Sequence, residues 1–188
     1  MKTIGILMFV MLLTLSVSSQ GLYDVSSGDG STVIACGKNG IILRSTNSGN
    51  NWTSSINGSA DLFSVHSMSS VYWVSGAGGL CLKSTDNGIS WSQQFTNTAS
   101  NLKSVYFIDN LTGWAAGTSG VILSTLNGGV NWIPQSSGTA NDLNCIKFSS
   151  SSTGFACGKS GIILRTTNGG SSWSALIPGT VRELISVD

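Results

Sequence analysis

Apolar and polar positions alternate along this chain in short bursts that return at a fixed interval. Four times a leucine is followed three positions later by a β-branched residue: Leu22 and Val25, Leu62 and Val65, Leu102 and Val105, Leu143 and Ile146. About fifteen residues after each leucine come two glycines separated by two residues, at Gly37/Gly40, Gly76/Gly79, Gly117/Gly120 and Gly158/Gly161. A three-residue apolar run follows each pair: IIL, LCL, VIL and IIL. Alternation over four to seven residues between glycine and asparagine breaks predicts strands, not helices. In the third unit the strands are LKSVYFI, GWAAG, GVILST and NWIPQ, with breaks at DNLTG, TSG and LNGG.

Each unit closes on a polar loop and a tryptophan. STNSGNNW ends at Trp52, STDNGISW at Trp91, TLNGGVNW at Trp132 and TTNGGSSW at Trp173, spaced by 39, 41 and 41 residues. Four antiparallel strands in about 40 residues, repeated, predict an all-β chain built as a β-propeller; a β-solenoid is the alternative, although its repeats are shorter. The predicted blades are 22–61, 62–101, 102–142 and 143–183. Leu184 and Val187 repeat the opening pattern once more, a partial unit over 184–188 that a closed four-bladed ring has no place for. The expectation is a portion of a larger ring of about seven blades, or an open arc whose edges need protection.

The first residues change the picture of where the chain works. One lysine precedes an uncharged, mostly apolar stretch from Ile4 to Val17, then small residues: the layout of a secretory signal peptide over 1–19, with Gln20 the first mature residue. A membrane anchor is the alternative, but a spanning helix needs about 20 apolar residues. The expected chain is exported to the periplasm, the cell surface or the medium, without stable membrane insertion once the leader is removed. Losing Lys2 leaves eight basic against eight acidic side chains, and a near-neutral surface gives no reason to expect nucleic acid.

The chemistry-bearing residues are few. The loops carry Ser45, Asn47 and Gly49; Ser84, Asp86 and Gly88; Thr125, Asn127 and Gly129; Thr166, Asn168 and Gly170. Glycine supplies positive φ, while the Asx side chain and hydroxyl accept backbone N–H bonds and hold the hairpin closed. Asparagine stands where Asp86 stands in three of four copies, so a catalytic or metal-binding aspartate is not the reading; a clasp is. Cys36, Cys81, Cys145 and Cys157 allow three disulfide connectivities or serve as small buried apolar groups, and the second reading is preferred here. Without CxxC or a histidine cluster, neither metal nor cofactor is expected. His66, the sole histidine, is read as structural.

The loop pattern S/T-x-D/N-x-G-x-x-W resembles the Asp-box of bacterial neuraminidase-type repeats. Over residues 22–183 the longer pattern, as in GWAAGTSGVILSTLNGGVNW, resembles the β-propeller family of photosystem II assembly and stability factors and its bacterial relatives. That resemblance implies a non-catalytic scaffold binding a partner polypeptide through a basic face. The position before each clasp is Arg44, Lys83, Ser124 and Arg165, which makes Arg44, Lys83 and Arg165 the candidate contacts, with Ser124 a departure. Long solvated side chains at strand ends are the plainer explanation. A carbohydrate-binding or adhesin-type module is the second functional class: Trp73, Trp114 and Phe155 share one strand position and could stack on sugars, or pack between blades. Sialidase chemistry would need an arginine cluster, a tyrosine nucleophile and assisting carboxylates, and the single glutamate, Glu183, makes that class unexpected.

Overall fold

The computed structural model describes residues 21–177 and 179–187; the leader and its cleavage point fall outside them. Among the described residues, sixteen strands form four antiparallel sheets, each in simple chain order. The first holds β1 (Leu22–Ser27), β2 (Val33–Gly37), β3 (Ile41–Ser45) and β4 (Thr53–Ile56). The second holds β5 (Leu62–Met68), β6 (Val71–Gly76), β7 (Cys81–Ser84) and β8 (Ser92–Gln94). The third holds β9 (Leu102–Phe107), β10 (Gly113–Gly117), β11 (Ile122–Thr125) and β12 (Ile133–Gln135). The fourth holds β13 (Leu143–Phe148), β14 (Gly154–Gly158), β15 (Ile163–Thr166) and β16 (Ser174–Leu176). This is an all-β propeller architecture, with one repeat per blade. The outer strands are shorter than the pattern suggests: Trp132 precedes β12 and is not part of it.

The paired glycines serve two needs. Gly117 ends β10 in ordinary extended backbone, but a Cβ there would collide with the carbonyl oxygen of Asn101, which leads into β9. Gly120 has φ +72 in the tight turn to β11, a left-handed conformation that side chains resist. Glycine at the first position thus allows the second strand to lie against the start of the first.

The core lies between blades. Ile34, Cys36 and Ile42 of the first blade pack with Leu62, Val65, Val74 and Leu82 of the second. Trp73 and Cys81 meet Leu102, Val105, Phe107 and Leu123 across the next junction. Trp114, Ala116 and Ile122 meet Leu143, Ile146, Phe148 and Leu164 across the third. The leucine and β-branched pair that opens the second, third and fourth repeats is therefore the face that receives the preceding blade. Val65, Val105 and Ile146 are 5%, 3% and 1% exposed, whereas Val25, in the same seat of the first blade, is 59% exposed.

Polar rungs tie the inner strands together inside this apolar packing. Asp24 Oδ2 accepts from Ser64 Oγ (3.0 Å) and the backbone N–H of Val65 (2.9 Å). Ser64 Oγ accepts from Val105 N (3.4 Å), and Ser104 Oγ from Ile146 N (3.2 Å). The partial fifth unit lies against the fourth blade without forming a strand. Leu184 N donates to Gly158 O (2.9 Å) and Asn144 Nδ2 to Leu184 O (2.8 Å).

Candidate functional site

The loop between the third and fourth strands of each blade is built the same way four times. In the second blade, Ser84 Oγ accepts the N–H of Gly88 (2.9 Å) and donates to Asp86 Oδ1 (2.7 Å). Asp86 accepts the N–H groups of Ile89 (3.1 Å) and Ser90 (2.9 Å) and the Ser90 hydroxyl (2.6 Å). These donors, the two Ser90 contacts foremost, hold its carboxyl down at about 2. In the third blade Asn127 Oδ1 accepts from Asn131 N (2.9 Å) and Thr125 Oγ1 (3.0 Å), while Gly129 N donates to Thr125 Oγ1 (3.0 Å). Asn47 with Ser45, and Asn168 with Thr166, repeat the arrangement around Gly49 and Gly170. The aspartate and its asparagine counterparts spend their oxygens on their own loop, which is what a hairpin clasp requires.

Trp132 and Trp173, which end the third and fourth loops, sit at the junction with the preceding blade as well as on their own hairpin. Phe107 is sandwiched between Trp73 of the second blade, stacked at 3.7 Å, and Trp132 of its own blade, edge-on at 5.9 Å. Phe148 sits likewise between Trp114 at 3.4 Å and Trp173 at 5.8 Å. Trp73 Nε1 also donates to Gly128 O, and Trp114 Nε1 to Gly169 O, both at 3.0 Å. Each of these indoles is thus pinned to the next blade's clasp. Trp73 and Trp114 are buried and cannot stack on a sugar; of that row, Phe155 alone is partly open.

The three cations before the clasps make different contacts. Arg44 Nε donates to Asn87 O at 2.6 Å, in the clasp of the second blade. Lys83 Nζ lies 5.5 Å from the centre of the Trp73 ring, and partial burial lowers its pKa. Arg165 stands over Phe155 at 6.0 Å and is exposed. Ser124 takes the same seat without charge. The repeat therefore places all four residues at the same strand position, and of the three charges Arg44 is the one that bonds the clasp of the following blade.

Sequence reasoning missed a concavity. The first strands of the four blades wall a cavity of about 650 Å³. Tyr23, Phe63, Lys103 and Asn144 line it towards one end, His66, Tyr106 and Lys147 towards the other. Tyr23 and Phe63 rings are 5.7 Å apart, and His66 packs at 4.7 Å on Tyr106 with its pKa pushed down by burial. Lys103 bonds Asn144 Oδ1 at 2.8 Å and lies 3.6 Å from Asp142, which Lys159 holds at 2.7 Å. The signal was present in the sequence as the positions just after each opening leucine, but nothing local shows that they converge. Among the described residues, no three His, Cys, Asp or Glu side chains gather as a metal site would need.

A family model described as photosynthesis system II assembly factor YCF48 matches residues 56–125 and 90–181, more than half of the chain. The chain belongs to the YCF48 family. A solved structure of YCF48 bound to D1 peptide superimposes with a TM-score of 0.73 at 20% identity, over 89% of this chain and 56% of that one. YCF48 from Cyanidioschyzon merolae gives 0.53 at 14% identity, over 87% of each. An ancestral GH74 enzyme gives 0.68 at 20% identity, over 84% of this chain and 24% of that one. At these identities the structures show the fold alone. No curated protein matches the sequence. This YCF48-family chain thus spans a little over half the length of the D1-peptide-bound protein.

Proposed function

We propose that this chain is a non-catalytic, exported scaffold that holds a partner polypeptide, in the manner of an assembly factor. Membership of the YCF48 family supports it, as does the peptide-bound state of one structurally similar YCF48. The observation that carries it is the row of cations on the clasp face. Arg44 is anchored by the neighbouring blade, Lys83 lies over Trp73 of its own blade, and Arg165 is exposed. Charges fixed before a partner arrives lose little entropy on binding, and a guanidinium pairs with carboxylate through two parallel N–H bonds. The ligand chemistry that fits is an acidic segment or a C-terminal carboxylate, met first by Arg165 and then by Arg44 and Lys83. A role in photosystem II assembly rests on the family alone.

Fluorescence anisotropy with labelled acidic C-terminal peptides tests this reading. Arg165→Glu should weaken capture tenfold or more, and raising salt should weaken the parent protein as well. Because Arg165 is exposed, its thermal midpoint should not move. Binding unchanged in a folded Arg44→Ala, Lys83→Ala, Arg165→Ala variant would remove the basic face from the account. Export is checked by N-terminal sequencing of secreted protein, which should begin at Gln20.

A further inference from the structure

One position recurs on the inner strand of every blade, two residues after the opening leucine, and faces one residue of the second strand. The four pairs are Asp24 with Cys36, Ser64 with Ser75, Ser104 with Ala116, and Cys145 with Cys157. In the first three blades the inner-strand side chain turns its oxygen to the next blade and accepts a hydrogen bond there. In the fourth, that oxygen is replaced by sulfur, a weak acceptor, and the residue opposite is a second thiol. Cys145 Sγ reaches only 4.0 Å contacts with Ser186 Oγ and Val187 O. Cys36 has a carboxylate across from it, and Cys81 lies between Ser75 and Gln94, so neither has a thiol opposite.

We propose that Cys145 and Cys157 are a cross-strand dithiol that closes to a disulfide when the chain meets an oxidising disulfide reagent. Directly opposed residues of an antiparallel pair have Cα atoms about 4.5 or 5.5 Å apart and side chains on the same face. Disulfides accept Cα separations of about 4.4–6.8 Å, so either kind of pair can be bridged with little backbone movement. Both thiols are free in this structure. Cys145 is the less buried, and burial pushes the Cys157 thiol up to about 11, so Cys145 reacts first. Its thiolate attacks a small-molecule disulfide such as oxidised glutathione and expels one thiol. The Cys157 thiolate then displaces the second. Two cysteine thiols become one disulfide, and the reagent, reduced by two electrons, leaves as two thiols carrying the two protons.

This bridge would fasten the two inner strands of the fourth blade, and it does not depend on what the clasp face binds. The test uses the full mature chain, reduced and denatured, then refolded in a glutathione redox buffer so that burial does not limit access. Free thiols are alkylated and the protein is cut with trypsin. Cleavage after Lys147 and Lys159 places the two cysteines on separate peptides, Ser104–Lys147 and Phe148–Lys159. The expected product is these two peptides joined and separable by reductant, with Cys36 and Cys81 alkylated. The oxidised protein should melt about 5 °C above the Cys145→Ser, Cys157→Ser variant, and reduction should abolish the difference. Four alkylated cysteines after refolding, or a bridge through Cys36 or Cys81, would overturn the proposal.

Discussion

The clasps of the first and third blades share their local chemistry and differ in their surroundings. In both, a hydroxyl accepts the glycine N–H, at 2.9 Å in Gly49 to Ser45 and 3.0 Å in Gly129 to Thr125, and an asparagine oxygen accepts the N–H four residues on. Yet Trp132 is 3% exposed and Trp52 is 42% exposed. Trp132 has Phe107 against its edge, and beyond it Trp73 from the preceding blade; Trp52 has its own loop, with Nε1 donating to Gly49 O at 2.9 Å. The repeat specifies the hairpin, and the neighbouring blade decides how much the same tryptophan is worth.

The sharpest way to break that comparison is to truncate both tryptophans. Trp132→Ala should destabilise by about 3–5 kcal/mol, the range for emptying a packed aromatic site, and Trp52→Ala by less than about 1 kcal/mol, read from urea unfolding midpoints. Removing the clasp hydroxyls should give a smaller contrast of the same sign. Thr125→Ala strands a buried Gly129 N–H and should cost about 1–3 kcal/mol, whereas at Ser45→Ala water can reach the partly buried Gly49 N–H and the loss should be below about 1 kcal/mol. The inner rungs come next. Ser104→Ala, which leaves Ile146 N without its acceptor between two blades, should cost about 1 kcal/mol by the same measurement.

The smallest effect concerns the single aspartate. Asp86 is held at about 2, below the ordinary carboxyl value of about 3.9, by donors that favour its charged form. Its contribution is therefore complete above about pH 4 and is lost as pH falls towards 2. Asp86→Asn should leave the melting temperature at pH 7 nearly unchanged and flatten its decline between pH 4 and 2. A large loss at pH 7 would mean that the aspartate does something its three asparagine counterparts do not.

The strands, the blade repeat and the clasps were legible because each depends on residues within about 40 positions of one another. The opening Leu-x-x-Val pattern, the glycine pairs and the S/T-x-D/N-x-G loops all encode local turns and alternation, and local pattern is what a sequence displays. The junctions were not legible in the same way. Trp73 meets the Gly128 carbonyl 55 positions away, and Arg44 meets Asn87 43 positions away. Nothing at either position alone tells a packed side chain from a surface one. The same holds for the inner wall, where Lys103, Asn144 and Tyr23 converge only because blades are stacked in order. The cysteines show it most plainly. Cys36 and Cys157 hold the same place in their repeats, and that says nothing of Cys145 lying opposite Cys157 within one blade.

Native-state hydrogen exchange at the Gly49 and Gly129 amides tests the central claim most directly, because both N–H groups donate to a clasp hydroxyl at nearly the same distance. If blade packing rather than the loop itself confers stability, Gly129 should exchange at least about 100-fold more slowly than Gly49. Equal protection of the two amides would contradict the account and return the stability of the clasp to its own hydrogen bonds.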